Sequence, residues 1–492
     1  KGPGVAWIIR LATELLGTSE AAVRTPAAVA SAITALGVAG MARSIANDGR
    51  AAFVAAAMVL LIPVYQAVAM IMTIDGPFLA CWAVAGWAAL AAMRRRGRWS
   101  WLVLGIALAL GFVFKYTMVL LVPGLAVFLV LCARSRSLAP RWGVWAIGGA
   151  AIACLGLLPV LVWNAHHDWA TVHHLLGHAG MPGGDQKTAP DGRTLEPLGA
   201  LEFVGVQLGA VGPLLAAMLL GVFARDPREN WKADRLLCVW AALPVLIGYG
   251  ALSFFTRIEG NWPIAGYITL VPLAATGVVR AKDDVRERAE SWLALPKGQR
   301  PRAGLLRKRP ESVMQMLWDW SIGWGLIAGF VMLRLDLVTR LPWPGEGKPM
   351  DRIVARLMEA DVRADHAQRL LDSLRDQTGS QPFVLAQQYG RASQLAFYLP
   401  GRPTVFAASS FTGGRRTQYD EWAHTDLRSP EVVTPLLGRP ALVVGGVSGQ
   451  WDSVFDRVEE VGTLEGERKS GRDAYLGYGF RGFAAGGPVE PE

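Results

Sequence analysis

Long apolar runs dominate the first two thirds of the chain, and after about residue 345 they give way to the mixed polar and apolar pattern of a globular domain. An apolar run of roughly 20 residues crosses the hydrocarbon core of a bilayer as a helix, because no unpaired backbone group is tolerated there. About ten such runs lie near residues 25–41, 51–72, 77–93, 100–114, 117–133, 143–163, 203–223, 236–255, 263–279 and 316–334. The pattern therefore predicts a mostly α-helical, polytopic membrane bundle over residues 25–335.

Two stretches fall outside this pattern. Residues 1–24 mix apolar side chains such as Trp7 with Arg10 and Glu14, which predicts an amphipathic stretch on the membrane surface rather than a span. Residues 345–492 predict a small α/β domain. Its predicted helices lie near 349–375 and 390–398, and its predicted strands lie near 382–386, 403–407 and 441–446.

Charge is distributed unevenly among the loops. The formal net charge is +9, and one alternating set of loops holds 23 Lys and Arg residues while the other set holds four. Because basic loops stay in the cytoplasm, the C-terminal domain and residues 1–24 are expected outside. The basic residues therefore serve topology, and no nucleic-acid partner is expected. We expect a multi-pass protein of the inner (plasma) membrane with an extracytoplasmic C-terminal domain.

Two charged residues are isolated in apolar sequence on the predicted outer face. Asp75 lies within 73–77, and Lys115 lies within 114–117. A charge at such depth is costly, so each should face a cavity or a partner. The alternative is that each snorkels at a helix end. Their common face predicts that they meet in one outward-facing pocket.

The predicted outer loop at 164–178 holds five of the seven His residues. His174 and His178 are four residues apart and share one face of a helix. Together with His167 and Asp168 they could hold a divalent cation. The other interpretation is a polar interfacial loop anchored by Trp residues.

Further candidates for substrate binding lie on the same predicted face: Tyr116, Asn164, Arg257, Glu259, Asn261 and Trp262. The sequence contains no Walker A loop and no GxGxxG segment after a strand, so no nucleotide cofactor is expected. A transporter or lipid flippase would also use a polar cavity. Transporters, however, tend to have two related halves and broken helices near the midplane. No related halves are visible in the sequence, and the polar groups cluster at one face. A third alternative is a membrane scaffold whose tail binds a partner.

Several segments, taken in chain order, resemble the protein mannosyltransferase-like glycosyltransferases, which include the lipid A aminoarabinose transferase. The matching segments are KGPGVAWIIR at 1–10, TIDGPFL at 73–79, FKYT at 114–117 within 105–123, LPVLVWNAHHDW at 158–169, GNWP at 260–263, FYLP at 397–400 and QYDEW at 418–422. Their order and their common predicted sidedness make the resemblance fairly specific over most of residues 1–280.

The resemblance implies a GT-C fold with catalysis at the outer face and an external cap domain. It implies a polyprenyl-phosphate-linked sugar as donor, a lipid, polysaccharide or protein as acceptor, and inversion at the anomeric carbon. Lys1 and Lys115 are then expected to stabilise the departing phosphate, with Arg257 as a weaker candidate, and Asp75 is expected to assist the base. The family's acidic base lies just upstream of Lys1, so this chain by itself is expected to be inactive.

Overall fold

The computed structural model describes residues 2–93, 97–135, 138–178, 183–184, 197–223, 231–256, 258–295, 310–338, 340, 358–414, 416–466 and 473–483. Two compact units are present, Lys1–Leu333 and Arg334–Glu492. The first unit is helical, and the second contains the sheet.

The helices of the first unit follow the apolar runs of the sequence. They are α1 (Gly4–Leu16), α2 (Glu20–Ala46), α3 (Gly49–Leu61), α4 (Pro63–Met70), α5 (Asp75–Met93), α6 (Trp99–Phe114), α7 (Val122–Arg134), α8 (Trp142–Leu155), α9 (Leu158–Ala165), α10 (Ala170–His178), α11 (Pro197–Val211), α12 (Leu214–Phe223), α13 (Trp231–Leu252), α14 (Ile264–Ala294) and α15 (Pro310–Leu333). A 3₁₀ turn, Tyr116–Leu121, joins α6 to α7.

Within the described ranges, six helices are long and apolar enough to cross a membrane, or up to nine if each of three bent pairs counts as one span. The 16-residue α6 is a shorter apolar helix. This finding confirms a multi-pass helical membrane protein. The runs at 51–72, 143–163 and 203–223, each predicted as one span, are pairs of helices bent by 70°, 41° and 95° respectively.

Proline explains where these pairs break. Pro63 opens α4, and Ile62 before it has the extended backbone that a residue preceding proline prefers. Pro159 lies in the first turn of α9, and Pro213 lies between α11 and α12. Proline has no N–H for the i−4 carbonyl and clashes with the preceding turn, so a helix ends or bends there. Hydropathy does not register such a break, because the run stays apolar.

Small residues let the helices of the bundle pack closely. A Cβ added to Gly37 in α2 would lie 2.9 Å from the Cβ of Ala83 in α5. A Cβ added to Gly105 in α6 would lie 2.3 Å from the carbonyl oxygen of Gly149 in α8. Close backbone approach through small residues is a common way of packing membrane helices. These contacts fix α5 and α6, which carry the site described below.

The second unit contains α16 (Leu335–Val338), α17 (Ala360–Thr378), α18 (Tyr389–Tyr398) and α19 (Pro430–Val433), with strands β1 (Phe383–Ala386), β2 (Val405–Ala407), β3 (Ala441–Val444), β4 (Phe455–Thr463) and β5 (Asp473–Phe480). The strand order is β2-β1-β3-β5-β4. β1 pairs parallel with β2 and β3, whereas β5 pairs antiparallel with β3 and β4. The predicted α/β character is confirmed.

The sequence pattern does not predict the strands β4 and β5. The first of them is largely exposed and rich in charge, so it lacks the apolar alternation of a half-buried strand. The structure begins the first long helix of this unit at Ala360, and the predicted start at 349–357 lies outside the described residues.

Candidate functional site

A buried ion pair joins the ends of two neighbouring helices. Lys115 donates from Nζ to Oδ1 of Asp75 at 2.8 Å. Asp75 is 2% exposed and Lys115 is 9% exposed. Asp75 is the first residue of α5, and Lys115 directly follows the last residue of α6. Each charge therefore lies at the helix end whose dipole favours it.

Asn261 completes this cluster from a distant part of the chain. Its Nδ2 donates to Oδ2 of Asp75 at 2.7 Å. Both carboxylate oxygens of Asp75 are thus engaged, one by a cation and one by a neutral amide. The structure brings together three of the residues that the sequence placed on one face, and the predicted meeting of Asp75 and Lys115 is observed. We name Asp75, Lys115 and Asn261 the charge cluster.

Aromatic rings surround the charge cluster. The ring centroid of Phe78 lies 5.4 Å from the Lys115 ammonium, within the range of a cation–π contact. Tyr249 packs against Trp262 with the ring centroids 5.5 Å apart, and it interacts electrostatically with Tyr116 and Asp75. Phe78 lies within the matching segment at 73–79, although sequence analysis did not single it out. Sequence analysis missed Tyr249 because it lies inside an apolar helix, where an aromatic residue gives no local sign of a site.

The segment before α1 lies against the end of α6. A Cβ at Gly2 would lie 2.0 Å from the carbonyl oxygen of Val113, and a Cβ at Gly4 would meet the ring of Phe114. These contacts leave no room for a larger residue at Gly2. Val113 and Phe114 directly precede Lys115, so the start of the chain packs beside the charge cluster. Lys1 itself lies outside the described residues.

Asn164 holds the turn between α9 and α10 rather than facing open space. It is 3% exposed, and its Nδ2 donates to the carbonyl of Val160 and to Oγ1 of Thr171. Its Oδ1 accepts from the backbone N–H of Thr171 at 2.9 Å. Asp168 and Trp169 inside this turn have positive φ values of 46° and 53°. For a bulky residue such as Trp this backbone is an outlier, and the Asn164 bonds hold it in place.

Of the predicted metal ligands, the described side chains of His167, Asp168 and His174 do not form a metal-binding group. Among the described residues, no three His, Cys, Asp or Glu side chains form a group that could hold a metal ion. His167 instead stacks on Trp163 at 4.2 Å, and its Nδ1 contacts the carbonyl of Trp163. These contacts favour the interfacial-loop interpretation for His167. The side chain of His178 lies outside the described residues, so the four-residue set stays a prediction.

The remaining predicted candidates lie in the loop that carries Asn261. Arg257 lies outside the described residues. Glu259 is exposed, and its backbone carbonyl accepts from the N–H of Trp262 at 3.0 Å, which closes a turn around Asn261. The structure therefore shows a backbone contact for Glu259 and a side-chain contact with Asp75 for Asn261.

The charge cluster can bind an anion without losing its internal pairing. An ammonium group has three N–H donors, and within the described residues Asp75 takes one from Lys115. A phosphate oxygen could approach the same Nζ while the ion pair stays closed. Because the pair has low exposure, screening is weak, so the attraction of a phosphate to Lys115 and its repulsion from Asp75 would both be stronger than on an open surface.

These features define a multi-span membrane protein with a buried ion pair at the meeting point of α5 and α6. A family model described as dolichyl-phosphate-mannose-protein mannosyltransferase matches residues 1–163. The lipid A galacturonosyltransferase RgtD of Rhizobium johnstonii is 27% identical over 277 residues, which are 56% of this chain and 55% of RgtD. The chain thus spans about half the length of this curated relative.

Solved structures of ArnT from Cupriavidus metallidurans share the fold. The structure bound to undecaprenyl phosphate has a TM-score of 0.61 at 16% identity, and it covers 97% of this chain and 87% of ArnT. The apo structure has a TM-score of 0.56 with the same identity and coverage. The expected GT-C fold and the resemblance to this group of glycosyltransferases are confirmed.

Proposed function

We propose that the chain acts as a membrane glycosyltransferase that moves a sugar from a polyprenyl-phosphate donor to a lipid, polysaccharide or protein acceptor at the outer face of the membrane. The observation that carries this proposal is the buried charge cluster in a GT-C bundle. Support comes from the match to the mannosyltransferase model, from RgtD, and from the fold shared with an ArnT structure that contains undecaprenyl phosphate.

Lys115 is proposed to bind the donor phosphate. Negative charge builds on that phosphate as the sugar leaves, and a cation in a partly dry site stabilises it most at that stage. The ring of Phe78 beside the ammonium keeps water away from one side. The apolar helices around the charge cluster would accommodate the polyprenyl tail within the bilayer, so that only the sugar and phosphate reach the polar site.

In the proposed reaction, the acceptor hydroxyl oxygen bonds to the anomeric carbon while the bond from that carbon to the phosphate oxygen breaks. The electron pair of the broken bond stays on the phosphate, and the configuration inverts. The hydroxyl proton passes to a carboxylate base. Asp75 is poorly placed for that role, because both of its oxygens already accept hydrogen bonds. We infer that Asp75 orients Lys115 rather than acting as the base.

The predicted orientation of the loops supports placing the charge cluster at the outer face of the membrane. At a point separate from the charge cluster, Arg50 forms a bidentate ion pair with Asp283. Both residues belong to the basic set of loops, which the charge distribution places in the cytoplasm. We therefore propose an inner-membrane protein whose charge cluster and C-terminal unit are extracytoplasmic.

The test compares glycolipids from cells that express the full-length protein with Lys115→Ala or Asp75→Ala. Each variant is expected to lower product formation by roughly 100-fold, the scale on which lost electrostatic stabilisation acts. Thr276→Val is the matched control, because Thr276 is buried in α14 and, among the described residues, donates within its own helix to the carbonyl of Pro272. Normal transfer by both charge-cluster variants would remove these residues from the mechanism.

A transporter or lipid flippase remains the second candidate, and the bent helix pairs are the observation that favours it. Broken helices are common at transporter sites. Proteoliposomes separate the two functions. Transfer forms a new glycosidic bond that mass spectrometry detects, whereas transport moves an unchanged substrate across the bilayer.

A further inference from the structure

The loop at 259–263 carries Asn261 to the charge cluster, and side chains from two other helices hold its ends. Gln207 of α11 donates from Nε2 to the carbonyl of Gly260 at 3.3 Å. Tyr65 of α4 donates from its hydroxyl to the carbonyl of Ile264 at 2.8 Å. One contact lies just before Asn261 and the other lies just after the loop.

The amide of Gln207 has a defined orientation. A backbone carbonyl can only accept, so the amide group that faces Gly260 must be the NH₂. Its Oε1 then faces Tyr267, whose hydroxyl donates to it at 3.0 Å. Gln207 and Tyr267 are each 3% exposed. A buried amide with two hydrogen bonds holds its neighbours firmly, because breaking either hydrogen bond leaves a buried polar group unpaired.

The bends in the helix pairs account for these contacts. α4 follows the 70° bend after α3, and α11 precedes the 95° bend before α12. The two short helices pack against each other. Straight spans would continue through the bilayer, whereas the bends turn α4 and α11 so that Tyr65 and Gln207 reach the loop.

We propose that Gln207 is a positioning residue: it fixes the loop at 259–263 so that Asn261 holds Oδ2 of Asp75 and leaves Oδ1 aligned with Lys115. The inference rests on the proposed function for its consequence, since a well-placed Lys115 is what the donor phosphate would bind. The claim that Gln207 fixes the loop at 259–263 does not depend on the proposed function and can be tested without any donor.

The first experiment is a double-mutant cycle on the full-length protein in nanodiscs, with undecaprenyl phosphate as the probe. Gln207→Leu and Asn261→Ala are each expected to weaken binding by roughly five- to tenfold. The double variant is expected to bind about as weakly as either single variant, because Gln207 acts through Asn261. Thr276→Val combined with Asn261→Ala should give additive effects. Additive losses for Gln207→Leu and Asn261→Ala would overturn the inference.

The second experiment measures the loop directly. A nitroxide label on Glu259→Cys, in a Cys154→Ala background that removes the exposed cysteine, reports the mobility of the loop. Gln207→Leu and the milder Tyr267→Phe should both sharpen the spectrum, and Thr276→Val should not. An unchanged spectrum in both variants would refute the positioning role. If the unsubstituted protein fails to bind undecaprenyl phosphate, the proposed function fails, while the spin label still decides the role of Gln207.

Discussion

Nζ of Lys115 lies 2.8 Å from Oδ1 of Asp75, and both side chains are buried within the helical unit. The two residues are 40 positions apart and occupy the ends of α6 and α5. Such a pair gives little net stability over an apolar substitute, because desolvation offsets most of the attraction. Its presence in an apolar bundle is therefore better explained by function, as intramembrane charges generally are.

Removing one charge of this pair should cost more than removing both. Lys115→Met leaves Asp75 buried without a counter-charge and is expected to lower the free energy of unfolding by roughly 3–5 kcal/mol. Adding Asp75→Asn should restore most of that stability but none of the proposed transfer. Thermal unfolding of the purified protein in detergent measures the first effect, and glycolipid analysis measures the second. Equal stability of the single and double variants would mean that the pair is solvated.

The turn between α9 and α10 should depend on Asn164. Asn164→Ala removes three hydrogen bonds from a buried amide and is expected to cost roughly 1–3 kcal/mol. His166 lies in the same turn and is exposed, so His166→Ala is the matched control and should change stability by less than about 0.5 kcal/mol. A comparison of melting temperatures decides, and similar values for the two variants would contradict the structural role of Asn164.

Asp168 distinguishes the two interpretations of the His-rich loop. Asp168→Asn removes the carboxylate but keeps a residue that tolerates the observed positive φ. The stacking of His167 on Trp163 favours an interfacial turn over a metal site. In an interfacial turn the Asp168 carboxylate has no metal to hold, so we expect the variant to bind undecaprenyl phosphate within about twofold of the unsubstituted protein. Titration with Mg²⁺ or Zn²⁺ provides the complementary measurement. A metal site would be favoured if the metal ion increases the affinity of the unsubstituted protein for undecaprenyl phosphate but not the affinity of Asp168→Asn.

The sharp bend between α11 and α12 should not tolerate a side chain at Gly212. Its φ is +70°, and an added Cβ would lie 2.4 Å from the Trp324 ring. Gly212→Ala is expected to destabilise the protein by at least about 1–2 kcal/mol. Gly205 lies in the middle of α11 with open space around it, so Gly205→Ala should be neutral or slightly stabilising. A melting temperature for Gly212→Ala as high as for Gly205→Ala would argue against the bend.

Asp420 in the second unit should give a pH-dependent contribution to stability. Burial raises the pKa of this carboxyl, but hydrogen bonds from Ser410, Thr417 and Arg428 outweigh burial and lower the pKa below its ordinary value of 3.8. A lowered folded-state pKa stabilises the fold above the unfolded-state value, and that stabilisation is lost as the pH falls through the folded-state value.

Asp420→Asn is therefore expected to cost roughly 1–3 kcal/mol at pH 7, with a smaller difference at pH 3. Thermal unfolding of the full-length protein and of the variant at pH 7 and pH 3 measures the two stability differences. Arg416→Gln provides a control, since Arg416 pairs with Glu421 in the same loop but is 63% exposed. A difference between Asp420→Asn and the unsubstituted protein that stays constant with pH would show that the carboxylate is not the stabilising group.

Apolar run length and the placement of charges determined much of this protein from the sequence. They are local properties, because a bilayer of fixed thickness sets the length of a span and basic loops set its direction. The sequence therefore identified the membrane bundle, the α/β tail, and the common face of Asp75, Lys115 and Asn261. The motif order added the resemblance to GT-C enzymes.

Only the tertiary structure decided which groups touch. Asn261 reaches Asp75 across 186 residues, and Gln207 reaches Gly260 across 53. Tyr249 shows no local signal, because an aromatic residue in an apolar helix looks the same beside a site as beside lipid. The bends after α3 and α11 were hidden for a related reason: hydropathy measures transfer into the bilayer, whereas a break depends on proline and on partners elsewhere in the fold that satisfy the freed backbone groups.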